Sequence, residues 1–392
     1  MQSVKDKLKV LILPSWYPTE RYPVGGVFIQ QQARALAARP DMDVTVLFVD
    51  RASIPGWVRG PKRLSLRCEE GLRVYRLTMP RVWVVWPFLY AAWTVLAYAA
   101  LRRRRVRPDI VHAHVALPAG LAGALIKRLW HTPLVLTEHT GPFSNLMRNR
   151  PAALATRQAI RGADRVVAVS AALRGQIAAY RELRRPIDVI PNLVNVGQFV
   201  VKSKTRCAEG PARLLFVGEM RTNIKGVDYL LEAVSVLRKR GVEVRLDLVG
   251  DGRKRSEYEA LARRLGVDGV CHFHGALPHE QVAAMMPSYD VLVLSSLAET
   301  FGVVAVEALA SGVPVVATRC GGPEEVLTPD LGVLVEKADP EALADGIVDV
   351  MRRPGDFPPE HLRRTVEARF GEARVTGQLV SLYRQVGEAR PA

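Results

Sequence analysis

Short β-branched runs alternate with longer amphipathic stretches along the whole chain, and that alternation leaves few folds open. Runs such as KVLIL and VTVLFV are apolar on both faces, so as strands they must be covered on both sides. The stretches between them are long enough to be the covering crossover helices, which makes the sheets parallel. In the first half the predicted strands are KVLIL near residue 10, VTVLFV from Val44, RVYRLT from Arg73, DIVHAH from Asp109, PLVLT from Pro133, RVVAVS from Arg165 and IDVI from Ile187. The second half repeats the style with RLLFVG from Arg213, VRLDLVG from Val244, VCHFHG from Val270, DVLVLSS from Asp290, VPVVAT from Val313 and GVLVE from Gly332.

A chain of 392 residues exceeds what one core supports, so two doubly wound, Rossmann-like α/β domains are expected. The polar, aperiodic stretch 195–212 is the natural linker. With 48% hydrophobic and 24% charged residues the chain can fill two cores, which excludes a disordered or fibrous protein. Cys68, Cys207, Cys271 and Cys320 stand singly, without the close pairs of a zinc site or redox motif, and read as reduced core residues of a cytosolic protein. The start offers no secretory signal.

Charge is distributed unevenly. Residues 1–205 hold 32 Lys and Arg against 12 Asp and Glu, a net +20, while the remainder is at −4, giving the chain +16. A basic half fits nucleic acid, an anionic membrane or an acidic substrate, beside plain solubility. Residues 82–101 carry no charge and precede Arg102, Arg103, Arg104 and Arg105, like a membrane span with a basic flank. Pro87 leaves about fourteen uninterrupted residues, too few to cross ~30 Å of hydrocarbon. The run reads as a core-facing crossover helix, with an interfacial helix carrying Trp83, Trp86 and Trp93 as the alternative.

The densest chemical signal is SSLAETFGVVAVEALASGVPVVATRCGGPEE, residues 295–325. A buried strand ends at Leu294, a loop carries Glu299, a helix begins near Phe301, and Glu307 follows Glu299 by eight residues in an apolar setting. On one helix that spacing is ~12 Å along the axis. A carboxylate in such surroundings needs a partner or a ligand's hydroxyls. The second signal is RLLFVGEMRTNIKG, where Arg221 and Lys225 stand at the mouth of a helix after a strand, placed for a diphosphate but without Walker spacing. Gly25 and Gly26 likewise precede a helix after the first strand. His139 ends a strand, where parallel sheets place ligands. His112 and His114 read as core or rim residues, since H-x-H lacks a third ligand, and His272, His274 and His279 are unclustered. Asp41 and Asp43 precede a strand and read as surface charge.

Taken together these residues resemble the retaining glycosyltransferases of family 4, of GT-B architecture, in which two Rossmann-like domains face each other across a cleft. The resemblance covers nearly the whole chain. It rests on Glu299-Thr300-Phe301-Gly302 with Glu307 as the E-x(7)-E pattern, Arg221 with Lys225-Gly226, Gly25-Gly26, Asp109 to His114, Val249-Gly250-Asp251-Gly252, Pro191-Asn192 and Gly321-Gly322. Asn195 stands where Asp is usual, and Thr300 replaces a commoner glycine.

The resemblance implies an acceptor-binding domain over 1–195, rejoined by a C-terminal helix at about 373–392, and a donor-binding domain over 196–372. Arg221 and Lys225 would meet the diphosphate of a nucleotide-sugar donor and Glu307 its ribose. Glu299 with the Phe301, Gly302 and Val303 backbone would hold the sugar, with His139 at the sugar's edge. Catalysis would need no metal and no cofactor. The expected partner is a saccharide or lipid-linked saccharide, anionic and at the inner membrane face, as in envelope or exopolysaccharide assembly; a soluble small-molecule acceptor is the alternative. A nucleotide-sugar epimerase would carry more acid and base groups than His139, and a nucleic-acid-binding protein would leave Glu299, Glu307, Arg221 and Lys225 without a use.

Overall fold

The computed structural model describes residues 7–20, 22, 24–51, 64–69, 71–79, 86–183, 186–203 and 210–388. It has two compact units, Met1–Leu193 with Val375–Ala392, and Val194–Arg374.

The first unit holds an eight-stranded sheet: β1 (Leu8–Pro14), β2 (Met42–Arg51), β3 (Ser65–Glu69), β4 (Leu72–Met79), β5 (Ile110–His114), β6 (Leu134–Glu138), β7 (Arg165–Ala168) and β8 (Ile187–Val189). Their order is β3-β4-β2-β1-β5-β6-β7-β8, parallel throughout except for β3 against β4. β5 and β6 are buried at every position, as strands covered on both faces must be. Crossover helices start where local chemistry starts them. The Asn149 side chain accepts from Ala152 N to open Arg150–Gly162, and Ser170 accepts from Leu173 N to open Ala171–Ala178.

β3 is the strand that the sequence pattern does not reveal. Its residues SLRCE are almost all exposed on the sheet edge, so they carry no hydrophobic period, and Cys68 there is exposed rather than part of a core. Cys271 is buried, Cys320 is partly buried, and Cys207 lies outside the described residues.

The apolar run before the arginines forms the helix Trp86–Arg103. Tyr90, Ala91, Thr94, Ala97, Tyr98 and Leu101 are buried, the Tyr90 hydroxyl donates to the Pro14 carbonyl at 2.8 Å, and Tyr98 bonds Thr132 at 2.9 Å. It is a core-facing helix on that side. Phe88 and Leu96 are exposed on the other, with Arg103, Arg104 and Arg105 beyond. Trp83 and the Trp86 side chain lie outside the described residues. Among the described residues, no helix is long and apolar enough to cross a membrane.

The second unit is a six-stranded, all-parallel sheet: β9 (Ala212–Val217), β10 (Val244–Val249), β11 (Cys271–Gly275), β12 (Val291–Leu294), β13 (Val315–Thr318) and β14 (Gly332–Val335), in the order β11-β10-β9-β12-β13-β14. The direction of build-out reverses beside β9, so the carboxyl ends of β9 and β12 flank the switch point where such sheets bind ligands. The start of the expected linker belongs to this unit: Phe199 is buried, and Lys202 donates to the Tyr289 carbonyl and pairs with Asp290 at 2.8 Å.

The last helix, Glu372–Glu388, returns the chain to the first unit. Val375, Leu379, Val380, Leu382, Tyr383 and Val386 join the core around β1 and β2. Tyr383 OH reaches His112 Nδ1 at 2.6 Å.

Candidate functional site

Six of the predicted residues, Lys225, Glu299, Phe301, Gly302, Val303 and Glu307, lie on the segments that follow β9 and β12 at the carboxyl end of the second sheet. β9 leads through Gly218 to a short 3-10 turn, Asn223–Lys225, opened by the Thr222 side chain, and then to the helix Val227–Lys239. Gly226 joins turn to helix at φ 60°, and a Cβ there would lie 2.0 Å from the Ser295 carbonyl oxygen, so only glycine lets the two loops close up. The Ser295 hydroxyl donates to the Lys225 carbonyl at 2.9 Å, and Leu297 N donates to Ile224 O at 2.8 Å. Those bonds tie the β9 loop to the β12 loop.

Across that seam Lys225 Nζ meets Glu299 Oε2 at 2.5 Å. Burial works against the lysine's charge, but Glu299, Cys320 and Glu219 around it raise its pKa above the ordinary lysine value. Lys225 is therefore a fixed cation. Glu299 is held in turn by the loop after β13: it bridges Gly321 in parallel fashion, Glu299 N donates to Cys320 O, and Gly322 N donates to Glu299 O at 2.8 Å.

Glu299 does not share a helix with Glu307. The helix begins at Val303, two residues later than the pattern indicated, with Gly302 at φ 88° as its left-handed start. The ~12 Å helical spacing therefore does not describe this pair. No side chain caps the helix, and its first internal bond runs from Ala305 N to Gly302 O, so the N–H groups of Val303 and Val304 face outward at the positive end of the helix. Phe301 turns its ring inward against Phe370, leaving only its backbone to the site.

Glu307 is 8% exposed on the same helix, and its partner is His279, whose Nε2 lies 2.9 Å from Glu307 Oε1. That hydrogen bond raises the His279 pKa against the opposing effect of burial. The sequence left His279 unclustered because 28 residues separate the two. His274, left unclustered for the same reason, is 2.6 Å from Asp247.

Arg221 stands apart from this group. It is half exposed and paired with Glu219 at 2.7 Å, while its carbonyl accepts from Arg253 at 2.9 Å.

Gly25, Gly26 and His139 belong to the first unit. Gly26 opens the helix Val27–Ala37 at φ 73°, and a Cβ there would lie 2.3 Å from the Trp16 carbonyl oxygen. Local packing alone thus requires that glycine. His139 is 7% exposed, its Nε2 2.9 Å from His114 Nδ1 with the two rings stacked, and His114 packs in turn against His112 with ring centroids 4.2 Å apart. Burial, with His112 nearby, lowers the His139 pKa to about 3; burial lowers His112 to about 3 and drives His114 well below its usual value. All three imidazoles are neutral near pH 7. Glu138, which the sequence did not single out, is 1% exposed and accepts from Ala116 N, His139 N and Thr140 N at 2.8–2.9 Å, fixing the backbone around His139. Asp41 and Asp43 pair with surface arginines, Arg39 and Arg384 on one and Arg73 on the other.

Two family models match the chain: Glycosyltransferase Family 4 over residues 25–198 and Glycosyl transferases group 1 over residues 211–353. The D-inositol 3-phosphate glycosyltransferase of Corynebacterium glutamicum is 30% identical over 334 residues, covering 76% of this chain and 77% of that relative. The chain belongs to the family 4 glycosyltransferases. Solved structures show the fold. Sucrose-phosphate synthase from Thermosynechococcus elongatus superposes with a TM-score of 0.81 at 21% identity, over 98% of this chain and all of that one. Anabaena HepE in complex with UDP-glucose gives 0.70 at 18%, over 96% and 100%. This glycosyltransferase thus has the GT-B fold expected of its sequence.

Proposed function

We propose that this glycosyltransferase moves a sugar, with retention of anomeric configuration and without a metal, from a nucleotide diphosphate sugar to an anionic acceptor at the cytoplasmic membrane face, in envelope or exopolysaccharide assembly. The observation that carries the donor half is the Lys225–Glu299 pair beside the uncapped helix start at Gly302. A diphosphate takes Lys225 and the helix N–H groups, while Glu299 accepts from the sugar's hydroxyls. Glu307 takes the ribose, and Arg221, paired with Glu219 at the surface, exchanges that partner for the phosphates when the donor arrives. The first unit takes the acceptor, His139 serves the sugar and the Gly25–Gly26 turn the phosphates, as the family resemblance implies.

The reaction asks for little covalent chemistry from the protein. The anomeric C–O bond breaks with its electron pair going to the leaving phosphate oxygen. The acceptor oxygen bonds to the anomeric carbon from the same face, and its proton passes to that phosphate oxygen. Lys225 stabilises the charge growing on the leaving group, the part a divalent ion would otherwise play. A double displacement would need a free carboxylate nucleophile, and Glu299 is engaged by Lys225.

UDP-glucose bound to HepE, at 18% identity, supports a nucleotide-sugar donor. The +20 charge over residues 1–205 supports an anionic acceptor, and the exposed Phe88 and Leu96 beside the arginine run support attachment to a membrane surface. The test is slow release of nucleoside diphosphate from a panel of nucleotide sugars in excess chelator. Release from one donor supports the reading. Strict dependence on added magnesium or manganese overturns its metal-free part, and no release from any donor overturns the donor assignment.

A further inference from the structure

The proposed ribose site carries one partner that the reaction does not use. Glu307 lies in VVAVEALA, and a lone carboxylate there is costly to keep ionised and free to rotate about its last torsion. His279, at the start of the helix His279–Met285, removes that freedom. The Phe199 ring packs edge-on against the imidazole, with centroids 6.0 Å apart, so the histidine is itself held. The ionisable groups bearing on it are Glu307 and Glu280, both acidic.

We propose that His279 is a positioning residue for donor recognition: by bonding Glu307 Oε1 it holds the carboxylate in one rotamer and presents Oε2 to the ribose hydroxyls. This rests on the reading of Glu307 as the ribose ligand. A carboxylate offers about four acceptor positions, and one engaged from behind leaves the outward oxygen oriented before the donor arrives. Without His279 the carboxylate is unpaired in apolar surroundings, and it must turn from its other rotamers before it can accept from the ribose.

The experiment is calorimetric titration of the full chain with UDP, GDP and ADP and with their 2′,3′-dideoxy counterparts. The base that binds best is used to compare wild type with Glu307→Gln, His279→Ala, His279→Gln, His279→Asn and the Glu307→Gln/His279→Ala double variant. His279→Ala weakens the ribonucleotide about tenfold and the dideoxynucleotide less than about twofold, the scale of one hydrogen bond to a charged group. His279→Gln, whose amide reaches about where Nε2 stood, recovers most of the loss; His279→Asn, one carbon shorter, does not. The double variant is no weaker than Glu307→Gln.

A wild-type ribose preference in His279→Ala, with the preference lost in Glu307→Gln, overturns the inference and leaves the ribose site standing. An unchanged preference in Glu307→Gln overturns the ribose assignment itself. Dideoxynucleotide binding shows that each variant is folded. If His279→Ala does not fold, the comparison of Gln with Asn decides, and equal ribose preference in the two overturns the proposal.

Discussion

Lys225 and Glu299, 74 residues apart, form an ion pair in which one partner comes from the loop after β9 and the other from the loop after β12. Each side chain is a quarter exposed or less, so neither charge is screened as a surface charge would be. In the proposed chemistry the same two groups serve opposite ends of the donor, the cation its phosphates and the carboxylate its sugar.

This arrangement separates stability from catalysis. Lys225→Ala leaves Glu299 without its cation, and a loss of about 1–3 kcal/mol of stability is expected, together with a fall in kcat of about 10²-fold or more. Adding Glu299→Gln removes the orphaned charge and restores part of the melting temperature without restoring turnover. Thermal melts and steady-state rates on the two variants check both halves; full activity in Lys225→Ala contradicts the assignment.

The stacked imidazoles make the first unit sensitive to acid. His112, His114 and His139 are lowered in the folded state, so below their ordinary value of 6.5 the unfolded chain binds more protons. Stability is then complete above pH 6.5 and falls as pH drops toward about 3, by up to ~1.4 kcal/mol per unit for each histidine. Glu138, raised by burial, opposes this with one group against three. Melting temperature measured from pH 7 to 4.5 should fall steeply, and less steeply in His114→Asn. A flat profile contradicts the burial of neutral imidazoles.

His279 titrates in the opposite sense. Its pKa is raised by the bond to Glu307, so the ionic part of that pair is present below pH 6.5 and is lost as pH rises through the folded value. The melting-temperature gap between wild type and His279→Gln is therefore expected to shrink from pH 6 to pH 9. A gap that widens over that range contradicts the ion pair.

Both sheets were legible because parallel strands covered by helices leave short β-branched runs in the sequence, and the runs named from it fall on 13 of the 14 described strands. β3 escaped because an exposed edge strand needs no apolar period. At the site, Lys225, Glu299 and Glu307 were found through short motifs that each sit on one loop or helix. His279, Glu138 and His114 were not, since each acquires its role from a neighbour distant in sequence: Glu307, the Ala116 backbone and His139. Arg221 shows the converse, a motif position whose side chain pairs locally with Glu219.

The exposed Phe88, Leu96, Arg103, Arg104 and Arg105 give the membrane proposal a direct check. Each arginine near an anionic surface contributes about 1 kcal/mol, screened over ~8 Å at physiological salt. The protein should sediment with anionic vesicles at low salt and not with neutral ones, and replacing Arg102, Arg103, Arg104 and Arg105 by Ser should release it. Wild type remaining in the supernatant contradicts attachment and favours the soluble acceptor.

The most direct measurement of the central claim is the rate of nucleoside diphosphate release from the preferred nucleotide sugar, in excess chelator, for wild type and Lys225→Ala side by side. Release by the wild type that survives chelation and drops about a hundredfold in the variant is the predicted result. Equal rates in the two proteins, or release that vanishes with chelation and returns with a divalent ion, would contradict it.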